Sequence, residues 1–179
     1  MDTTVQVLLD KQAIQEVLYR YCRGVDRCDA DIVRSAYHPD STDDHGYWKG
    51  NGHDFARFVT ARLLAANSQT THSVTNTLIE VSGDHAWSEA YVMVTLVRRS
   101  DDPVVVDVMG ARYLDRHERR AGEWRIAHRL VVLDWTRVET WVPRQAPIAL
   151  DDFALGQRRE ADPLYAWIRA HGHVVDQQP

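Results

Sequence analysis

Apolar residues recur at helical spacing early in the chain. Ile14, Val17, Leu18, Tyr21, Cys22 and Val25 share one face, which predicts a helix over about 10–25 with Asp10 as its N-cap. A short second helix is predicted over 30–36, with Asp29 at its cap and Ile32, Val33 and Ala36 apolar, until His38-Pro39-Asp40 breaks it. Residues 41–48 read as a short strand ending in the turn Gly50-Asn51-Gly52. A third helix over 54–66 places Phe55, Phe58, Val59 and Leu63 on one side.

The pattern then changes to runs rich in β-branched and aromatic residues. Strands are predicted over 70–81, 85–99, 104–118 and 124–135. Their turns fall at Ser82-Gly83-Asp84, Asp101-Asp102-Pro103 and Arg120-Ala121-Gly122-Glu123. Strands so closely connected form one antiparallel sheet. After Val142-Pro143 the pattern weakens: 143–159 read as an extended tail and 163–170 as a short helix. Three helices followed by a meander is an α+β order. A strongly curved antiparallel sheet would wrap the N-terminal helices into a cone with an internal apolar pocket, a usual place for a small molecule. The expected core is 1–142, with 143–179 a tail of the same domain.

The 179 residues, 44% hydrophobic and 26% charged, suit one domain with a real core. A net charge of −5 gives no electrostatic reason to expect nucleic acid or an anionic membrane. The densest basic groups, Arg116 to Arg120 and Arg158-Arg159, read as solvated faces. The start MDTTVQVLLDKQ lacks a basic region before a long apolar run, and no segment approaches a membrane span; a cytoplasmic protein is expected. Cys22 and Cys28 match no metal-ligand spacing, and in or beside one helix they are poorly placed for a disulfide, so both are expected reduced.

Chemistry concentrates around Asp26, an acid ending an apolar stripe. Such a group is costly to bury without a partner. From the residues alone, Asp26 caps the second helix, pairs with Arg23 or Arg27, or meets a distant group. Asp43 and His45 alternate on one predicted strand, yet no HxH or HExxH pattern accompanies them and no metal is expected. Asn76, four residues beyond His72, would share its face on a regular strand and offer a pocket hydrogen bond or one to backbone. Tyr47, Trp48, Tyr91, Met93 and Tyr113 either line a pocket or pack the sheet. His117, His171 and His173 fall at turn or tail positions and receive no function. No phosphate loop or dinucleotide fingerprint occurs, so no cofactor is expected.

The segments YRYCRGVDRCDADIVRSAYHPD, DDHGYWKG, THSVTN and EWRIAHRLVVLDW resemble the SnoaL-like group of the nuclear transport factor-like, cone-fold superfamily. That group includes scytalone dehydratase, bile acid dehydratase and hexachlorocyclohexane dehydrochlorinase. The resemblance spans about residues 8–136 and implies that Asp26, ending the first helix, pairs with His72, beginning the first long strand. It also implies a pocket role for Tyr21 and, on the last strand, for Arg129; a register slip of one residue would turn His128 inward instead.

An ionised Asp26 would fix the tautomer of His72 and make its free nitrogen a better base toward a carbon-bound proton. Tyr21, Arg129 or His45 would stabilise the developing oxyanion or help hydroxide depart. The expected site is therefore Asp26 and His72 as catalytic residues, with Tyr21, His45, Tyr47, Asn76 and Arg129 binding substrate. The implied activity is a cofactor-independent lyase of dehydratase type acting on a hydrophobic ring compound. An isomerase with the same base is one alternative. A non-catalytic module, similar to the small subunits of ring-hydroxylating dioxygenases, is another. The resemblance further implies a homo-oligomer, dimer or trimer, joined through an outer sheet face that carries Trp87 and Trp135. The tail would close the pocket mouth or strap a neighbouring subunit.

Overall fold

The computed structural model describes residues 3–99, 103–142 and 153–171. The expected turn residues Asp101 and Asp102, the tail over 143–152 and His173 lie outside them. Helix α1 (Thr3–Arg27) is followed by α2 (Ala30–Ser35), β1 (Tyr37–Asp44), β2 (Lys49–Asn51) and α3 (Gly52–Ala66). Four long strands follow: β3 (Asn67–Ser82), β4 (His85–Arg98), β5 (Val104–Arg120) and β6 (Glu123–Trp141). A 3-10 turn (Arg159–Ala161) leads into α4 (Pro163–His171). The six strands form one curved, unclosed sheet in the order β2-β1-β6-β5-β4-β3. Its long strands pair antiparallel, while β1 lies parallel to β6.

The helical stripe predicted from spacing is the buried face of α1: Ile14, Val17, Leu18, Tyr21, Cys22 and Val25 all lie in the core. The helix begins earlier than its apolar period, and Val5, Leu8 and Leu9 of its first turns stay exposed. Asp10 therefore caps nothing. It sits inside the helix, buried, and accepts hydrogen bonds from Trp124 Nε1 (2.9 Å), Arg119 Nη1 (2.9 Å) and Gln6 Nε2 (3.1 Å). Asp29 does cap α2, accepting from the backbone N–H groups of Asp31 and Ile32. Gly24 lets α2 approach the last turn of α1, since a Cβ there would stand 2.7 Å from the Val33 backbone nitrogen.

The region around residues 41–52 differs from its expected form. His38-Pro39-Asp40 already belongs to β1, and the chain reverses around His45 to Trp48 so that β2 pairs back onto β1. Asn51 then caps α3, which starts at Gly52 rather than at residue 54. Phe55, Val59 and Leu63 of α3 are buried, while Phe58 remains partly exposed against Trp48.

Two irregularities decide which residues face the cone interior. In β3, Val74 stands opposite Val92 but Thr77 opposite Ala90, so a bulge shifts the alternation. His72 and Val74 are partly buried before it; Ile79 is buried after it. Asn76 falls within the bulge and is exposed, which overturns the expectation that it shares the face of His72. In β5 and β6, the register shifts between Gly110 and Ala111, where the Trp135 ring packs on Gly110. Tyr91 and Met93 occupy exposed positions of β4, alternating with buried Ala90, Val92 and Val94, and do not line the interior.

Candidate functional site

The last turn of α1 delivers Asp26, and the start of β3 delivers His72. Their side chains meet: His72 Nδ1 lies 2.6 Å from Asp26 Oδ1, and the His72 backbone N–H donates to Asp26 Oδ2 at 2.9 Å. Both carboxylate oxygens are thereby engaged by one residue. A carboxylate accepts and does not donate, so Nδ1 carries a proton, and in the neutral ring Nε2 is the nitrogen with the lone pair. The two side chains are nearly buried, at 13% and 11% exposure.

His72 lines a cavity of about 190 Å³ inside the cone. Val25, Val59, Leu63, Val94, Leu96, Met109, Ala111, Val131 and Leu133 supply its apolar wall, and Tyr21, His45, Tyr47 and Tyr113 complete it. Among the described residues, no carboxylate, lysine or arginine lines it. A larger groove of about 590 Å³ between α2 and the C-terminal segment is more open and polar, and His72 is not part of its lining.

A second Asp–His pair faces the same cavity. Asp43 and His45 come from the end of β1 and the turn after it, and His45 Nδ1 is hydrogen-bonded to Asp43 Oδ1. Tyr37 Oη donates to Asp43 Oδ2 at 2.6 Å, and His45 Nε2 lies 3.3 Å from Tyr21 Oη. The chain Tyr37–Asp43–His45–Tyr21 thus ends at the cavity. Burial lowers the His45 pKa from its ordinary 6.5, against the opposing pull of Asp43, so its ring is neutral at pH 7. The same burial raises the Tyr21 phenol well above its usual range, although Arg129 opposes it. Phe55 stacks on the His45 ring with centroids 4.0 Å apart and fixes its plane.

Arg129 points into the cone, and His128 points out to a 2.7 Å contact with Thr42 Oγ1. Arg129 is not a cavity-lining residue, however, which corrects the expected direct contact. It is fully buried behind the lining, forked onto Asp115 through Nε (2.7 Å) and Nη2 (2.6 Å). Its Cζ stands 4.1 Å from the Tyr21 ring centroid and 4.0 Å from that of Tyr113. The rings of Tyr21 and Tyr113 thus lie against its charge on the cavity side. Asn76, exposed, is likewise outside the site and accepts a bond from Thr75 Oγ1. Tyr47 lies at the rim, largely exposed, with the Arg62 guanidinium 4.9 Å over its ring.

His117 is another correction. It is wholly buried on β5, within 2.9 Å of Ser88 Oγ. Sequence reasoning also missed Asp43 and Tyr37 as partners of His45. The alternation Asp43-Asp44-His45 was the available signal, and it was read only for a metal. Among the described residues no group of three His, Cys, Asp or Glu side chains is placed to hold a metal ion.

A family model for the SnoaL-like domain matches residues 6–130. The chain belongs to the SnoaL-like family. Solved structures share its nuclear transport factor-like cone fold. One is a protein of unknown function from Mycobacterium tuberculosis, 24% identical, covering 75% of this chain and 77% of its own, at a TM-score of 0.66. Another is a provisionally assigned scytalone dehydratase from Novosphingobium aromaticivorans, 17% identical, covering 79% and 94% at 0.67. A third is a hexachlorocyclohexane dehydrochlorinase of the LinA type from Novosphingobium barchaimii, 20% identical, covering 79% and 100% at 0.69. At these identities the likeness shows the fold. No curated protein matches the chain. Within this SnoaL-like domain, among the described residues, no helix is long and apolar enough to cross a membrane.

Proposed function

We propose that this protein is a small lyase of the dehydratase type, working without a cofactor on a hydrophobic ring compound, with Asp26 and His72 as its base. The observation that carries this reading is a histidine whose Nδ1 is engaged by Asp26 while its ring lines a cavity in which no described residue places a carboxylate, lysine or arginine. Such an environment favours a neutral ligand. A cavity of about 150 Å³ holds one benzene, so about 190 Å³ suits a compound of one or two small rings. The names of the structural neighbours, a dehydratase and a dehydrochlorinase, point to elimination as the shared type of chemistry.

In the proposed reaction, His72 Nε2 takes the proton from carbon next to a carbonyl group. The C–H electron pair forms the new double bond through an enolate, and the β carbon–oxygen bond breaks. Hydroxide leaves with the proton that His72 now carries, as water, and the imidazole returns to its neutral form. Tyr113, whose ring lies against Arg129, offers its phenol hydrogen to the enolate oxygen. His45, with Nδ1 engaged by Asp43, accepts rather than donates at the cavity, and orients Tyr21. The same first step serves a double-bond isomerase; a product that keeps its oxygen identifies that branch.

The test is a panel of one- and two-ring β-hydroxy ketones, assayed for water loss and for exchange of the α-proton in D₂O. His72→Gln should lower turnover by about 10²–10⁴-fold with its circular dichroism unchanged. Equal turnover in the variant refutes the role of His72, and binding without exchange on the true ligand marks a non-catalytic module. We also propose that copies associate through the outer sheet face, where Trp87, Tyr91 and Trp135 are exposed; a monomer by light scattering would end that reading.

A further inference from the structure

Arg158 lies in the C-terminal segment, beyond the residues 6–130 that match the SnoaL-like domain. Its guanidinium reaches back to the base of the site. Nη1 donates to the backbone oxygen of Asp26 at 2.6 Å and to Thr70 Oγ1 at 2.7 Å, and Nε donates to the Ser68 oxygen at 3.3 Å. Asp26 belongs to the last turn of α1. Ser68 and Thr70 open β3, just before His72. One side chain therefore ties together the two elements that supply the Asp26–His72 pair.

The chemistry of the contact is apt. Carbonyls in the last turn of a helix have no intrahelical donor and carry partial negative charge, which a guanidinium satisfies. Both oxygens of the Asp26 carboxylate are taken up by His72, so those two contacts hold only while the Asp26 backbone stays in place relative to β3. The segment that brings Arg158 is itself anchored. Tyr165 Oη donates to Asp29 Oδ2 at 2.8 Å, and Arg27 Nε lies 3.4 Å from Asp162 Oδ2. Asp162 is buried and accepts from the backbone N–H groups of Gln157 and Leu164.

We propose that Arg158 is a positioning residue for the Asp26–His72 pair, so that docking of the C-terminal segment completes the site from outside the shared family core. The inference rests on the reading of that pair as the reacting unit. A misplacement of about 1 Å is enough to cost a reaction two orders of magnitude, and a helix end held only by its own side chain frays readily.

The test reads the tautomer of His72 by ¹⁵N NMR of its ring at pH 7.5 in the full chain. Arg158→Met keeps the aliphatic stem and removes all three hydrogen bonds. In the unaltered protein Nδ1 should appear protonated and Nε2 bare. In R158M the two resonances should shift toward the averaged position of freely exchanging tautomers, and in Arg158→Lys toward an intermediate one. Tyr165→Phe loosens the segment that carries Arg158 and should shift the resonances in the same direction by a smaller amount. Identical His72 resonances in R158M and the unaltered protein overturn the proposal. Should R158M fail to fold, Thr70→Val removes one acceptor and should give a smaller shift in the same direction; no shift overturns the proposal equally. The readout needs no turnover, so a failed elimination assay beside an intact shift condemns the functional reading alone.

Discussion

Burial of His117 makes the fold sensitive to mild acid. The ring is wholly buried, and its pKa is held down to about 4 against an ordinary 6.5, first by desolvation, with Asp115 pulling the other way. Above pH 6.5 the ring is neutral whether the chain is folded or not, and it costs nothing. As pH falls below 6.5 the unfolded chain takes up a proton that the folded one refuses, so stability falls until the folded ring also titrates near 4. A separation of about 2.5 units corresponds to roughly 3 kcal/mol in the limit, most of it lost by about pH 4.5. The perturbation is His117→Gln, which leaves Ser88 a hydrogen-bonding partner and removes the titration. The assay is urea unfolding at pH 7.5 and pH 4.5 on both proteins. His45 is shifted in the same direction by burial and contributes with the same sign below pH 6.5, but it does so in both proteins and cancels in the comparison. The unaltered chain should lose about 2–3 kcal/mol more than the variant over this interval. Parallel losses would show that His117 is not held neutral, and would refute the argument from burial.

Arg129→Met should destabilise the fold by about 3–5 kcal/mol, because Asp115 is left buried with its ion partner removed. Replacing both members by apolar residues should cost far less, and urea midpoints of the two variants decide the matter. Cys22 is buried, with burial pushing its thiol up to about 12, and Cys28, six residues further on, is buried too. Neither should react with a disulfide reagent at pH 8 until denaturant is added; prompt labelling of the native protein would contradict their placement.

Much of the architecture was legible because burial writes a period into the chain. The stripe from Ile14 to Val25 and the β-branched runs after residue 67 each had a spacing that only one kind of element satisfies. The start of α1 was not legible, since Val5, Leu8 and Leu9 are exposed and no period reports them. Asp10 looked like a cap because its partners, Arg119 and Trp124, lie more than a hundred residues away. Asn76 was assigned to the wrong face because a single bulge between Val74 and Thr77 inverts every later side chain, and nothing local announces it.

The amino-acid order by itself determined the element types and the stretch of chain that resembles a known family, because both depend on local spacing. It also singled out Asp26 as an acid in need of a partner, and resemblance supplied His72. Only the tertiary structure decided that His45, paired with Asp43, faces the same cavity, that Arg129 lies behind two tyrosine rings, and that Arg158 of the C-terminal segment returns to the Asp26 backbone. The physical reason is distance along the chain. Hydrogen bonds and burial act over a few ångströms in space, and side chains separated by dozens of residues share that space only after the sheet has curved around the helices.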